Sequence, residues 1–131
     1  MTPSVRPATV ADMPMIHSTW HTSFWKRSAH KYLTRATYDE GQDRRIDRLV
    51  RSSHVLVAFF PEVPEEILGW ACLKDDVLHY TYVKSLYRGR GIAAGLVGDR
   101  VKFYTHAADK VGERFLAKVG AVFNPYLLEL L

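Results

Sequence analysis

The spacing of apolar and polar positions predicts a chain that begins with helices and continues with strands. Apolar residues recur at helical spacing from Met13 to about Trp25, and a second apolar stripe predicts a helix over 39–52. Three apolar runs follow, at 54–60, 67–73 and 77–83. Short connections join these runs, so they predict three antiparallel strands in a meander. A turn over 61–66, with two prolines, separates the first two strands.

Short alternating elements are predicted before and after this meander. They are a strand at 4–8, an irregular connection over 26–37, a short helix at 91–98, a strand at 101–105, a helix at 109–119 ended by Gly120, and a closing hairpin over 121–131 with its turn at Asn124–Pro125. The predicted order is β-α-α-β-β-β-α-β-α-β-β, an α/β (α+β) chain. No linker divides it, so we predict one domain over residues 1–131.

Charge and cysteine content indicate the cellular compartment and the class of binding partner. The chain of 131 residues has a formal net charge of +4, which favours anionic partners such as a nucleic acid or a phosphorylated cofactor. A single cysteine, Cys72, excludes an internal disulfide and suits a reducing compartment. No apolar run approaches the ~20 residues that cross a bilayer, and the N-terminal residues lack a signal-peptide core. We therefore expect a cytoplasmic protein without a membrane partner.

The segment Arg88-Gly-Arg-Gly-Ile-Ala93 points to an anion site. Glycine weakens helices and adjacent like charges repel, so the segment is poor for folding alone. A P-loop is excluded because no Lys-Ser/Thr pair follows Gly91. A dinucleotide fingerprint, Gly89-x-Gly91-x-x-Ala94, is disfavoured because the strands before it predict an antiparallel meander. Backbone amides at a helix start, aimed at a pyrophosphate, are favoured over a plain strand-to-helix turn.

The same residues carry a family resemblance. Arg88-x-x-Gly91-x-Ala93 resembles the Arg/Gln-x-x-Gly-x-Gly/Ala signature of the Gcn5-related N-acetyltransferases. Residues 5–16, 67–73, 82–93 and 114–123 resemble the opening, third strand, cofactor strand and last helix of that family. The order of elements agrees as well. Residues 77–93 also resemble small acetyltransferase-like proteins of phages and prophages.

The resemblance implies a fold, a cofactor and a reaction. The fold would be a mixed, mostly antiparallel sheet splayed between strands 4 and 5 and flanked by about four helices. Acetyl-CoA would be the co-substrate, and an acetyl group would pass directly to a primary amine. The cofactor contacts would be backbone groups of Tyr82, Val83, Arg88, Gly89, Arg90, Gly91, Ile92 and Ala93.

The catalytic residues follow from the register of this motif. In the family the general base often lies nine or eleven residues before the signature, where this chain has His79 and Val77. Only His79 can take a proton, so we predict it as the base, with a mildly perturbed pKa of about 6–7.5. Its alternative is a half-buried structural histidine. The family's general-acid tyrosine is replaced by Leu116, and Tyr104 is the candidate substitute.

The acceptor site is expected along the first two helices. Trp20 is predicted as core, and the His17–His21 spacing suggests a metal site only weakly, so no metal is predicted. Asp109 is predicted as a helix N-cap. The second helix carries a polar side of arginines, which is either a solvated face with an Asp47–Arg51 pair or a patch for an acidic substrate or nucleic acid. Its members are Arg44, Arg45, Arg48 and Arg51.

Three functions stay open on sequence grounds. The favoured one is the N-acetyltransferase, whose acceptor is a small molecule, a peptide or a protein. The second is a non-catalytic module of the same fold that binds coenzyme A or nucleic acid, which the leucine at position 116 keeps open. The third is an acyltransferase-like enzyme that modifies DNA bases. The sequence names neither the acceptor nor the oligomeric state.

Overall fold

The computed structural model describes residues 1–27 and 32–130. Six strands form one sheet in the order in which they occur along the chain. They are β1 (Ser4–Pro7), β2 (His54–Phe60), β3 (Val63–Lys74), β4 (Val77–Val83), β5 (Phe103–Tyr104) and β6 (Val122–Phe123). The pairs from β1 to β4 are antiparallel, whereas β4–β5 and β5–β6 are parallel. The predicted meander and the mixed, mostly antiparallel sheet are confirmed.

Four α-helices accompany this sheet in the described part of the chain. They are α1 (Met13–Trp25), α2 (Arg35–Ser52), α3 (Ile92–Val97) and α4 (Lys110–Lys118). Asp12 accepts a hydrogen bond from the backbone of Thr9 ahead of α1 and pairs with Arg6 at 2.8 Å. Asp109 caps α4 by accepting from Gly112 N at 2.8 Å, as predicted. These local bonds fix where the helices begin.

Two clusters of buried side chains cover the two faces of the sheet. On one face α1 and α2 pack Ile16, Trp20 and Ile46 against Trp70 of β3. On the other face α3 and α4 contribute residues such as Ile92 to a second cluster. The helical spacing predicted the buried positions of α1 correctly, and Trp20 is core.

Several element boundaries differ from the prediction. The second helix begins four residues early, because the Thr34 hydroxyl caps it by accepting from Thr37 N. The turn predicted over 61–66 is mostly strand, since β3 starts at Val63 and pairs it with Phe60. Residues 28–31 of the predicted 26–37 connection lie outside the described residues.

The prediction of a closing hairpin over 121–131 is wrong. The last part of the described chain is a 3-10 helix over Pro125–Leu130, which buries Leu128 in the cluster under α1 and α2. Proline lacks the N–H that a paired strand would donate, and Asn124 caps the turn by accepting from Tyr126 N. The end of the chain therefore covers the core instead of extending the sheet.

Candidate active site

The loop before α3 presents backbone donors to the outside. Gly89 and Gly91 have φ of +77° and +76°, a left-handed conformation that side chains disfavour. A Cβ added at either glycine would meet no atom within 4 Å, so the surface beside the loop is open. Within the described chain, the N–H groups of residues 89–94 donate to no protein acceptor, as is usual in a first helical turn. An anion would find aligned donors here.

The two arginines of this loop lie on aromatic rings. The Arg88 guanidinium lies 5.8 Å from the centre of the Tyr82 ring, and its Nε donates to the carbonyl of Val83 at 2.9 Å. Arg90 lies 5.7 Å from the Tyr87 ring and is exposed. Arg88 thus ties the loop to the end of β4 and uses the Val83 carbonyl, while both charges stay beside the glycines.

The sheet opens between β4 and β5. The two strands pair only where Val77 and Leu78 meet Phe103 and Tyr104, and their last shared bond runs from Thr105 N to Leu78 O at 3.1 Å. Beyond that point β4 continues to Val83, whereas β5 has ended. The free edge of β4 therefore begins at residue 79 and leads to the segment Arg88–Ala93, which we call the glycine loop.

A β-bulge falls at the start of this free edge. Cys72 pairs with Tyr80 and Leu73 pairs with Leu78, which leaves His79 as the extra residue. Leu78 and Tyr80 consequently belong to the clusters on opposite faces of the sheet.

His79 is buried and joined to other polar side chains. Only 1% of its surface is exposed, and its Nδ1 lies 3.0 Å from the Thr105 hydroxyl. That hydroxyl lies 3.1 Å from Nδ1 of His106, whose Nε2 lies 3.3 Å from Nε2 of Gln42. The other ring nitrogen of His79, Nε2, is buried and has no hydrogen-bond partner.

Both imidazoles are neutral at pH 7. Burial, with the nearby charges of Lys74 and Arg48, lowers the pKa of His79 to about 4. Burial and the charge of Arg45 lower the pKa of His106 to about 3. The mildly perturbed pKa expected for His79 is therefore wrong, because the sequence showed neither its complete burial nor the cations around it.

Tyr104 lies on the face of the sheet that α3 and α4 cover. It belongs to the same cluster as Leu116, and its phenol donates to the carboxylate of Glu113. Burial and this bond raise the pKa of Tyr104 to about 12, so it keeps its proton at pH 7. His79 instead bonds to Thr105, so the structure does not join the two predicted catalytic residues in one network.

Some polar residues near the open edge were not predicted as site residues from the sequence. Arg27, at the end of α1, donates to the Tyr80 hydroxyl at 3.2 Å and pairs with Asp109 at 3.4 Å. Thr105 ends the strand predicted at 101–105 and His106 follows it directly, and two polar residues at a strand end are a signal for a site. Nothing in the spacing of α2 pointed to Gln42.

The histidines of α1 face carboxylates of α2. His21 has Nε2 at 2.7 Å from Asp39 and Nδ1 at 2.9 Å from Asp43, while His17 lies 3.7 Å from Asp43. Among the described residues no group of three or more ligating side chains could hold a metal ion. These contacts tie the two helices together.

The arginines of α2 do not share one surface. Arg44, Arg48 and Arg51 line a shallow groove of about 500 Å³ together with Asp47 and Ser52. Arg45 is partly buried, and its charge acts on His106. Arg44 pairs with Glu40 at 3.4 Å, in place of the predicted Asp47–Arg51 pair. The expected polar face is therefore present for Arg44, Arg48 and Arg51 and wrong for Arg45.

The fold is that of the Gcn5-related N-acetyltransferases. The structure of a proposed acetyltransferase from Pyrococcus furiosus is similar, with a TM-score of 0.60 and 16% sequence identity. The match covers 98% of this chain and 89% of that protein. A Gcn5-related N-acetyltransferase from Rhodopseudomonas palustris, also described as a class-II aminotransferase, matches with a TM-score of 0.59 and 18% identity, over 90% and 81%. The predicted fold class is confirmed.

A third similar structure contains a cofactor. It is a predicted acetyltransferase from Clostridium acetobutylicum solved with acetyl-CoA, with a TM-score of 0.57 and 16% identity over 92% of this chain and 90% of its own. The chain spans 65% of the length of YjaB from Escherichia coli, which it resembles with a TM-score of 0.54 and 18% identity over 76% of this chain. No family model and no curated protein sequence matches the chain. The described part contains no helix long and apolar enough to span a membrane.

Proposed function

We propose that this chain is an acetyl-CoA-dependent N-acetyltransferase that moves an acetyl group directly to a primary amine. The observation that carries the proposal is the free edge of β4, which runs from the glycine loop to His79, a residue whose Nε2 is buried without a hydrogen-bond partner. A fold shared with acetyltransferases, one of them solved with acetyl-CoA, supports the choice of cofactor. In this proposal residues 1–131 act as one domain.

The glycine loop would hold the pyrophosphate of the cofactor. Its backbone N–H groups from Arg88 to Ala93, including those of Gly89, Arg90, Gly91 and Ile92, would donate to the phosphate oxygens. The charges of Arg88 and Arg90 stay close enough to favour an anion. Backbone groups of Tyr82 and Val83 would follow the pantetheine arm, with the Val83 carbonyl shared with Arg88.

Acetyl transfer forms one bond and breaks another. The amine nitrogen attacks the thioester carbon, the carbonyl oxygen gains negative charge, and the C–S bond then breaks to release the thiolate. The amine loses one proton and the thiolate gains one: either the amine proton passes to the thiolate, or it passes to water while Tyr104 protonates the thiolate and regains its own proton from water. Tyr104 is the proposed acid for the thiolate, since it keeps its proton at pH 7, although that proton points to Glu113.

His79 is the proposed catalytic residue at the reacting end. A neutral imidazole accepts a proton at its bare nitrogen and donates a hydrogen bond from the other. Because Nδ1 already bonds to Thr105, Nε2 is the ring nitrogen left for the substrate, which would have to displace the atoms that bury it. The function of His79 therefore depends on whether Nε2 carries the hydrogen.

The test is acetyl transfer from acetyl-CoA to a panel of small amines, polyamines, peptides and DNA, with mass detection of the products. We expect a product 42 Da heavier than one of the amines, and thermal stabilisation of the protein by acetyl-CoA, because a ligand that binds only the native state raises its stability. Absence of any stabilisation at millimolar acetyl-CoA would overturn the cofactor assignment. Stabilisation without a product from any acceptor would identify a binding module in place of an enzyme.

A further inference from the structure

Four buried polar side chains form a continuous chain of hydrogen bonds from α2 to β4. They come from three separate parts of the fold: α2, the segment after β5, and the bulge of β4. Their exposed fractions are between 1% and 4%. The members, in order, are Gln42, His106, Thr105 and His79. We call these residues the relay.

The relay has a direction that begins at Gln42. Gln42 is placed with its amide nitrogen towards His106, and in this orientation it has hydrogens to donate and no lone pair to accept with. Nε2 of His106 is therefore the acceptor. A neutral imidazole carries one hydrogen, so that of His106 lies on Nδ1 and points to the oxygen of Thr105 at 3.1 Å.

The same logic carries the direction on to His79. With its oxygen accepting from His106, Thr105 donates its hydroxyl hydrogen to Nδ1 of His79 at 3.0 Å. In this arrangement the single hydrogen of the neutral His79 ring lies on Nε2. That nitrogen is buried without a partner, so the fold holds a buried N–H donor that lacks an acceptor within the described chain. Buried donors usually have a partner in the protein, in ordered water or in a bound ligand, so this nitrogen calls for one; the indole Nε1 of Trp20 is in the same state.

We propose that Gln42, His106 and Thr105 are positioning residues that fix His79 in the Nε2–H form, so that His79 donates a hydrogen bond to the thioester carbonyl oxygen. This inference rests on the proposed function for its substrate, but the tautomer itself does not. It replaces the role of general base with that of a neutral donor. No proton leaves His79 during transfer: the hydrogen bond strengthens as the carbonyl oxygen becomes negative and weakens when the C–S bond breaks.

Charged groups around the relay favour this neutral donor. Lys74 at the end of β3 and Arg48 of α2 act on His79, and Arg45 of α2 acts on His106. These groups are cations, which oppose a second proton on either ring. The amine would therefore lose its proton to solvent water or to the leaving thiolate.

The first test reads the tautomer directly. In the full chain labelled with ¹⁵N at histidine, long-range ¹H–¹⁵N NMR should show hydrogen on Nε2 of His79. Thr105→Val removes the hydroxyl at nearly constant volume and should leave His79 as a mixture of tautomers, whereas Thr105→Ser, the matched control, should restore the Nε2–H form. A parent with hydrogen on Nδ1, or a Thr105→Val protein with the parent pattern, would overturn the proposal.

A second variant should reverse the relay. Gln42→Glu places a carboxylate, which only accepts, opposite His106. The hydrogen of His106 would then lie on Nε2, Thr105 would donate to His106, and His79 would carry its hydrogen on Nδ1. Retention of the Nε2–H form of His79 in the Gln42→Glu protein would count against a relay directed by residue 42.

The third measurement separates this inference from the proposed function. Acetyl-CoA should shift the Nε2–H signal of His79, and coenzyme A, which lacks the carbonyl, should shift it much less. Thr105→Val should lower kcat about tenfold with little change in KM, whereas the kcat of Thr105→Ser should be close to that of the parent. Equal shifts with both ligands, or an unchanged kcat, would overturn the donor role. If no amine is acetylated, the proposed function fails, while the tautomer measurements and the ligand shifts still decide the relay.

Discussion

The two ends of the proposed site are built in opposite ways. The glycine loop consists of consecutive, exposed residues, and its chemistry comes from the backbone. The relay consists of side chains that lie up to 64 positions apart in the chain and are almost fully buried. The loop needs little beyond a strand end and a helix start, whereas the relay exists only when α2, β4 and β5 are packed together.

This difference predicts different responses to mutation. Changes in the loop should remove binding while the fold persists, because nothing packs against Gly89 or Gly91. Changes in the relay should affect stability and chemistry together, because buried polar groups that lose a partner are costly. The contributions of the glycine loop and of the relay can therefore be measured separately, by mutation and by changing the pH.

The largest effect is expected from Gly91→Val. Residue 91 has φ of +76° and borders open space, so a branched side chain would both strain the turn and occupy the surface where the phosphates would bind. A ligand at 1,000 times its Kd stabilises a protein by ~4 kcal/mol. We expect Gly91→Val to lose this stabilisation, measured as the difference in Tm with and without acetyl-CoA.

Gly95→Ala is the matched control for this experiment. Gly95 also borders open space, but it lies within α3 without a positive φ. Alanine there should keep the stabilisation by acetyl-CoA and raise helix stability slightly. An unchanged ligand effect in Gly91→Val would show that the phosphates bind elsewhere.

The second effect concerns stability in acid. The pKa of His79 is about 4 and that of His106 about 3 in the native state, against 6.5 for a free imidazole. Between pH 4 and 6.5 the unfolded chain binds more protons than the native protein. The free energy of unfolding should therefore be at its full value above pH 6.5 and fall as the pH drops towards 4. Each pKa unit corresponds to ~1.4 kcal/mol, so His79 alone accounts for up to about 3 kcal/mol.

Urea unfolding at pH 7.0 and pH 4.5 measures this dependence. His79→Gln should show a smaller difference between the two pH values than the parent. His54→Gln, at an exposed position of β2, is the control and should keep the parent difference. If His79→Gln loses as much stability in acid as the parent, His79 is not held neutral by the fold.

The features that could be predicted from the sequence are the local ones, and the features that could not are those that depend on long-range packing. The periodicity of α1, the meander from β2 to β4 and the glycine loop depend on neighbouring residues, and they were predicted. The bulge at His79 was not, because it arises from a shift in pairing with β3 around Cys72 and Leu73 that no local pattern marks. That shift is what changes the neighbours of His79.

The relay could not be predicted, since its members are far apart in the chain. Gln42 follows Gly41 on a helix with many polar residues, and only tertiary packing brings it to His106. The wrong pKa of His79 has the same origin, because burial and the charge of Arg48 depend on where α2 lies. The final hairpin failed because the apolar residues after Pro125 suit a 3-10 helix over the core as well as a strand.

A third prediction tests the chemistry of His79. Removing one donor to a developing oxyanion lowers kcat by ~10²-fold or more, so His79→Ala should lower turnover by about that factor and leave the KM for acetyl-CoA nearly unchanged. In the parent, the rate between pH 5 and 8 should follow the ionisation of the amine without a limb from His79, whose pKa is about 4. A rate limb at pH 6–7.5 that disappears in His79→Ala would restore the role of general base.

The smallest effect is expected at Asp109, a local feature like the loop. Its carboxylate caps α4 through Gly112 N at 2.8 Å, and its pair with Arg27 at 3.4 Å lies at the surface. Losing an N-cap costs ~1 kcal/mol, and an exposed ion pair adds little. Asp109→Ala should therefore lower the free energy of unfolding by about that amount, and Asp109→Ser, which retains a capping oxygen, by much less. Acetyl transfer, measured as kcat and KM, should be the same in both variants as in the parent. A tenfold loss of kcat in Asp109→Ala that Asp109→Ser does not recover would show that the Arg27–Asp109 contact belongs to the chemistry and not only to the helix end.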